Sequence, residues 1–254
     1  MTAVAKNMIL ARVLLPVLAA GLVAACSPAP IAEGISDPNE AANRRVFEFN
    51  ARVDRALFAR AARETEGDAA PRPAHLRNRV HDFAANTALP SIIVNALLQG
   101  RVEDAAHNAV RLVFNTTIGL GGLFDVATGI GLEERPADFG QTLHVWGVEE
   151  GNYVVLPLIG PSTERDALGI AVDFFTNPLT YALEPPARYW PPLAGPVTWA
   201  TNRLSYGSAI DDLLSNAEDP YATARLFYLD SRRYDLGGGQ SGDDLYDIYE
   251  EAYE

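Results

Sequence analysis

Four histidines, a single cysteine and 33 acidic side chains are the residues on which chemistry would have to be built. His75, His81, His107 and His144 include no pair at the i, i+4 spacing that sets two imidazoles on one face of a zinc-binding helix. Cys26 is the only cysteine, so neither an intrachain disulfide nor a multi-cysteine metal site can form. A nucleophile elbow needs glycine two residues before and two after its serine. Ser36 has Gly34 but Pro38, and Ser162 has Gly160 but Glu164. The cluster Gly119, Gly121, Gly122 misses the dinucleotide fingerprint because Phe124 holds its third site, and it lacks the lysine of a phosphate loop. The sequence therefore reads as a non-enzyme, with no catalytic residue, no metal and no diffusible cofactor.

Cys26 itself has an informative context. Lys6 and Arg12 precede an apolar run from Val13 to Leu22, roughly ten residues and too short to span a bilayer. Val23-Ala24-Ala25-Cys26 then resembles the bacterial lipobox, in which small residues precede a cysteine that is lipidated and becomes residue one. An ordinary signal peptide with a chance cysteine, or a short membrane anchor, is the alternative. On the lipobox reading, residues 1–25 are a lipoprotein signal peptide and Cys26 carries a covalent acyl/diacylglycerol lipid. Three acyl chains at ~0.8 kcal/mol per buried CH₂ amount to roughly 30 kcal/mol as an upper value, which is effectively irreversible anchoring. Ser27, where an aspartate would signal retention at the inner membrane, favours the outer membrane by resemblance to Gram-negative sorting. Residues 26–36, with Ser27-Pro28-Ala29-Pro30, read as a short stiff tether.

The chain has 254 residues, with 20 Lys+Arg against 33 Asp+Glu and a formal net charge of -13. Without residues 1–25 the balance is 18 against 33, a net of -15. That excess argues against nucleic acid as a partner, because phosphates need a basic face. It also weighs against electrostatic docking on anionic headgroups. At 48 % hydrophobic the chain can bury a core.

The elements read as helices. Asp37-Pro38-Asn39-Glu40 predicts a helix start with Asp37 as N-cap and Pro38 at N1, followed by Ala42, Val46, Phe49, Val53 and Leu57 on one face. After a polar break at 64–73, a second helix carries Leu76, Val80 and Phe83, and a separate short apolar segment runs from Pro90 to Leu98. A further helix spans Val102 to about Phe114. Residues 133–166, punctuated by Gly and Pro, read as ordered loop with strand propensity at Tyr153–Leu156. Helices are expected at 167–175, 199–214 and 220–234, with a rigid five-proline excursion at 184–196 between the first two. The fold class is mainly α, irregular and without a real sheet: one domain over 37–236, then an acidic tail at 237–254 expected to be disordered when free. A tail helix formed on a partner is the minor alternative.

Ile118 to Leu132 holds five glycines and one charge, Asp125, among residues that are almost all apolar. Glycine costs roughly 1 kcal/mol against alanine in a helix, so such a density marks a bend, a close backbone approach or a movable segment. Two readings stand: a hairpin buried under the main core, or an apolar hairpin at bilayer depth whose glycines are hinge points. In the second, Asp125 is a rim or counter-charge residue.

Several segments together resemble the MlaA (VacJ) lipoproteins. They are Asp37-Pro38, Asn43-Arg44, Phe47, Phe49-Asn50; Pro90, Asn95 and Gly100; Asn115 with Gly119, Gly121, Gly122 and Asp125; Gly140, Gly147, Pro157; and Asp219-Pro220. They run in the family's order over most of 37–236. The resemblance implies a helical ring in the inner leaflet of the outer membrane, on its periplasmic face, around an amphipathic channel. The implied function is removal of mislocalised phospholipid from the outer leaflet and its transfer to a periplasmic lipid carrier. A trimeric porin is the implied membrane partner. Gly119, Gly121, Gly122, Phe124, Asp125, Gly129 and Gly131 fall where the family has a flexible, channel-gating segment. The alternative function is a porin-associated structural adaptor without a transport role.

Overall fold

The structure, a computed structural model, describes residues 27–66 and 74–237. The signal peptide with Cys26, most of the polar break (67–73) and the acidic tail after Gly237 lie outside the described residues. Helices dominate: α1 (Glu40–Glu66), α2 (Ala74–Leu98), α3 (Val102–Thr117), α4 (Val126–Gly129), α5 (Phe139–Val145), α6 (Glu164–Thr176), α7 (Leu179–Ala182), α8 (Ala194–Ser215) and α9 (Pro220–Leu236). The sheet is one antiparallel pair, β1 (Tyr153–Leu156) with β2 (Gly160–Thr163), registered from Tyr153 opposite Thr163 to Leu156 opposite Gly160.

The helix expected from 199 begins already at Ala194, inside the proline-rich excursion, and the short α7 is not among the expected helices. Three further departures from the sequence expectation have a visible physical cause. Asp37 does not cap α1. Its carboxylate accepts from Tyr221 Oη at 2.5 Å, Arg225 Nη1 at 2.6 Å and Asn43 Nδ2 at 2.8 Å, and α1 begins at Glu40 after a turn closed on Asn39 O. The apolar segment from Pro90 is not separate: α2 runs through Pro90 as one helix of 25 residues. Proline removes a donor and crowds the carbonyls of the turn before it. There Asn177 Nδ2 donates to Thr87 O at 2.9 Å and Thr87 Oγ1 to Phe83 O at 2.7 Å, so the turn is braced from outside. Within 133–166, α5 forms where loop was expected, because Asp138 caps it by accepting from Gln141 N at 2.8 Å.

Side-chain amides of α1 do the work of a third strand. Asn43 donates to Tyr153 O and accepts from Val155 N at 3.0 Å, and Asn50, two turns on, donates to Leu156 O and accepts from Leu158 N at 2.7 Å. These amides satisfy the β1 edge that β2 leaves open. Arg44 forks onto Asp219 at 3.1 and 2.6 Å and stacks 4.4 Å from the Tyr221 ring centroid. Asp219 in turn caps α9 through Tyr221 N and Ala222 N, with Pro220 in the first turn. Around these groups Tyr153, Val155, Tyr221 and Leu229 form one small core with Val46, Phe47 and Tyr228.

Burial runs against the usual pattern. Among the described residues, thirteen hydrophobic residues are buried, six of them other than alanine, against seventeen polar or charged ones, while thirty-seven large hydrophobic side chains are exposed. Singly exposed apolar residues are ordinary in water-soluble domains, but so many beside so small an apolar core are not. No described helix is long and apolar enough to cross a membrane.

Candidate functional site: the glycine hairpin and the cavity beside it

The segment after α3 folds back on that helix. Gly121 N donates to Thr116 O at 2.9 Å, Gly122 N to Asn115 O at 2.8 Å and Phe124 N to Gly119 O at 3.0 Å, so the turn is hydrogen-bonded rather than loose. Two glycines are sterically required. A Cβ on Gly119 would lie 2.2 Å from Phe124 O and 2.4 Å from Asn115 O, both backbone. Gly122 has φ +90°, and a Cβ there would meet the Asn86 side chain at 2.4 Å. Gly121 and Gly131 also have positive φ but face open space, and Gly129 carries neither constraint. Leu120, a non-glycine residue, is held at φ +54°. The apolar side chains of the segment, Ile118, Leu120, Leu123, Phe124 and Ile130, are exposed rather than packed beneath the core.

Asp125 is the knot of this structure. Its carboxylate caps α4, accepting from Thr128 N at 3.2 Å and Thr128 Oγ1 at 2.6 Å. It also accepts from Asn115 Nδ2 at 3.0 Å and lies 3.2 Å from Arg111 Nη2. Arg111 donates as well to Leu132 O and to Thr128 Oγ1, while Asn115 Oδ1 accepts from Ala127 N. Burial pushes the Asp125 carboxyl up, but the donors from Thr128 and Asn115 and the charge of Arg111 leave it below its ordinary value. One carboxylate thus binds the hairpin, α4 and α3 together.

A second set of contacts reaches the hairpin from α2. Arg79 donates through Nη1 to Leu123 O at 2.9 Å, lies 3.2 Å from Asp82 Oδ2, and covers the Phe124 ring with its guanidinium carbon 4.2 Å from the centroid. These groups wall a cavity of about 480 Å³, lined also by His81, Asp125 and Thr128. Burial raises the Asp82 carboxyl despite the Arg79 charge. His81 faces Thr201 Oγ1 of α8 at 2.9 Å.

The motif residues gather in three places. Asp37, Asn43, Arg44, Phe47, Asn50, Asp219 and Pro220 meet around β1 and α9, with Pro157 just after β1 and Pro38 in the turn before α1; Phe49 is exposed. Asn95, Gly100, Gly140 and Gly147 belong to the junction of α2, α5 and α6. There Asn95 donates to Asp173 Oδ1 at 2.8 Å and accepts from Thr142 Oγ1, and Gly100 and Gly147, both at positive φ, follow α2 and α5. Asn115, Gly119, Gly121, Gly122, Phe124 and Asp125 make the hairpin. Arg79 and Asp82 carry no sequence signal of their own, since their partners in the hairpin lie about 44 residues away. Cys26 lies outside the described residues, but the tether that follows it is docked: Ala29 is buried and donates to His144 O at 2.9 Å, and Ser36 O accepts from Tyr153 N at 2.8 Å.

A model of the MlaA lipoprotein family matches residues 35–235. The chain belongs to that family. Among MlaA proteins, the intermembrane phospholipid transport system lipoprotein MlaA of Escherichia coli K12 is 32 % identical over 226 residues, 86 % of each chain. The protein of the same name from Haemophilus influenzae is 30 % identical over 220 residues, 81 % of each. An uncharacterised protein of Rickettsia prowazekii is 34 % identical over 195 residues, 75 % of this chain and 74 % of its own. A chain solved in work on the structural basis for maintenance of bacterial outer membrane lipid asymmetry superposes with a TM-score of 0.64 at 32 % identity, over 79 % of this chain and 99 % of that one. The MlaA motifs and the mainly helical fold read from the sequence are thus those of the matched family.

Proposed function

We propose that this chain is the outer-membrane lipoprotein of an intermembrane phospholipid transport system, which takes mislocalised phospholipid from the outer leaflet and passes it to a periplasmic carrier. The observation that carries the reading is the burial pattern: many large apolar side chains exposed, around an interior where buried polar residues outnumber buried apolar ones, in a fold with no described membrane-crossing helix. Such a body suits immersion in a single leaflet, where acyl chains cover the outside and headgroups can use the inside. Acyl groups on Cys26 hold it at the periplasmic face, and the action is conduction rather than chemistry. The glycine hairpin, with its exposed side chains and its ties to α2 and α3, is the segment assigned to channel gating. A trimeric porin and a periplasmic lipid carrier are the partners this reading requires.

The test is phospholipid exposed on the cell surface in a strain lacking the gene, complemented with the wild-type chain or with Gly121→Val. A Cβ at that position meets nothing within 4 Å, but a β-branched side chain strains a backbone at φ +74°. Surface phospholipid should rise on deletion, return to normal with the wild type, and stay raised with the variant at equal protein level. A deletion strain with unchanged surface phospholipid would falsify the reading.

A further inference from the structure

The cavity between α2 and the hairpin has walls of both charges and a volume of about 480 Å³, within the range of small-ligand sites. Its cation is incompletely used. Both polar contacts of Arg79 run through Nη1, Nη2 and Nε make no hydrogen bond among the described residues, and the side chain is 32 % exposed. A guanidinium with two parallel N–H groups open is the donor set that a phosphate takes bidentately. Across the cavity stand carboxylates. Asp82 has Arg79 as its ion-pair partner, and Asp125 is committed to Arg111. The lining thus carries one guanidinium, Arg79, against two carboxylates, Asp82 and Asp125.

We propose that this cavity binds a zwitterionic phosphate–amine headgroup of the phosphoethanolamine kind, its phosphate on Nη2 and Nε of Arg79 and its ammonium toward Asp82. The proposal rests on the lipid-transport reading and adds a headgroup class to it. An anionic headgroup without an amine satisfies Arg79 but leaves the carboxylates unmatched. The same guanidinium holds Leu123 O through Nη1 and covers the Phe124 face, so the hairpin contacts fix the orientation in which Nη2 and Nε meet the phosphate.

The experiment is native mass spectrometry of the delipidated, full-length lipoprotein in detergent. The probes are dihexanoyl phosphatidylethanolamine, dihexanoyl phosphatidylglycerol and the chain-free ester glycerophosphoethanolamine. The wild type should retain the ethanolamine lipid about tenfold more tightly than the glycerol lipid, the value of one partly exposed charge-assisted contact. Arg79→Gln should weaken both lipids by about tenfold, and Asp82→Asn should abolish the preference while binding persists. Equal retention of the two lipids by the wild type overturns the proposal, as does unchanged binding by Arg79→Gln. Chain-free ester bound as tightly as the lipid would assign the cavity to soluble esters and overturn the lipid source. The wild-type comparison needs no variant, so it decides even where a substitution fails to fold. Headgroup indifference in a protein that still clears surface phospholipid sinks this inference alone, whereas a failure to clear it sinks the transport reading.

Discussion

Individual side chains in this protein carry tasks that larger folds leave to a hydrophobic core. Asp125 is the sharpest case, since it joins three segments through four donors while Arg111, 5 % exposed, depends on it for charge balance. Asp125→Asn keeps the shape and the cap but leaves that guanidinium without its counter-ion. With Asp125 itself 29 % exposed, the loss should be about 1–3 kcal/mol, below the full cost of a wholly buried pair, and thermal unfolding in detergent measures it. Protonation should act in the same direction. The Asp219 carboxyl is held at about 2, first by the hydrogen bonds of Arg44 and then by the amides of α9, against an ordinary 3.8. A depressed carboxyl stabilises the fold above its unfolded value and loses that contribution as pH falls through the folded one. Asp125, Asp166 and Asp37 are depressed too. Asp82, Glu134 and Asp173, all raised mainly by burial, work in reverse and gain stability on acidification. The unfolding temperature should therefore hold or rise slightly as pH drops toward 5, then fall steeply between about 4 and 2. In Asp219→Asn the steep fall should be shallower, because the group that titrates over that range is gone.

At the scale of elements, close crossings and buried ion pairs replace bulk. Helices α5 and α6 meet so tightly that a Cβ on Gly169 would lie 2.4 Å from Gly140 N, a backbone atom that cannot step aside. Gly169→Ala should cost about 1–3 kcal/mol, visible as a lower unfolding temperature, since the two helices must separate to admit one methyl. Near the same crossing Arg232 of α9 pairs with Asp138 at 2.7 Å and with Asp166 at 2.9 Å, and Tyr228 adds a bond to Asp166 at 2.8 Å. Arg232→Met leaves buried Asp166 with Arg165 at 3.2 Å and Tyr228 but without its second cation, and should cost about 2–4 kcal/mol. These junctions also show what the sequence could tell. Gly140 stood out within a motif, but Gly169 sits in an ordinary helical pattern and nothing local announces its partner. Helix α9 and its cap were legible because Asp219-Pro220 is a local signal. The unbroken α2 was not, because Pro90 is a local stop signal overruled by Asn177, far along the chain. Asp125 was legible as a buried charge in want of a partner, whereas its use as a structural knot depends on Asn115 and Arg111 one and two turns back along α3.

For the molecule as a whole, the exposed apolar surface and the acyl anchor proposed for Cys26 would be two separate means of holding one membrane. If a dozen of the thirty-seven exposed large side chains enter the acyl region at ~1.5 kcal/mol each, immersion of the fold contributes roughly 18 kcal/mol. That rivals the roughly 30 kcal/mol upper value for three acyl chains. The anchor is also placed by the fold: Ala29, bonded to His144 O, lies three residues from Cys26, and three extended residues reach only about 10 Å. On the proposed lipidation, acyl chains at Cys26 would enter the bilayer within that reach of the end of α5, where Trp146 and Val148 are exposed. The lipid would then orient a body whose apolar surface is expected to hold the membrane as well. A chain exported behind a cleavable, non-lipoprotein leader joined to Ser27 should still sediment with membranes and resist carbonate extraction. It should be shared between inner and outer membranes, because the acyl group proposed to direct sorting is gone. Its recovery in the soluble periplasm would mean that the apolar exterior is covered by a protein partner rather than by lipid, and that the acyl chains alone hold the membrane. The predicted outcome, retention with mislocalisation, separates affinity from address and assigns the first to the fold and the second to Cys26.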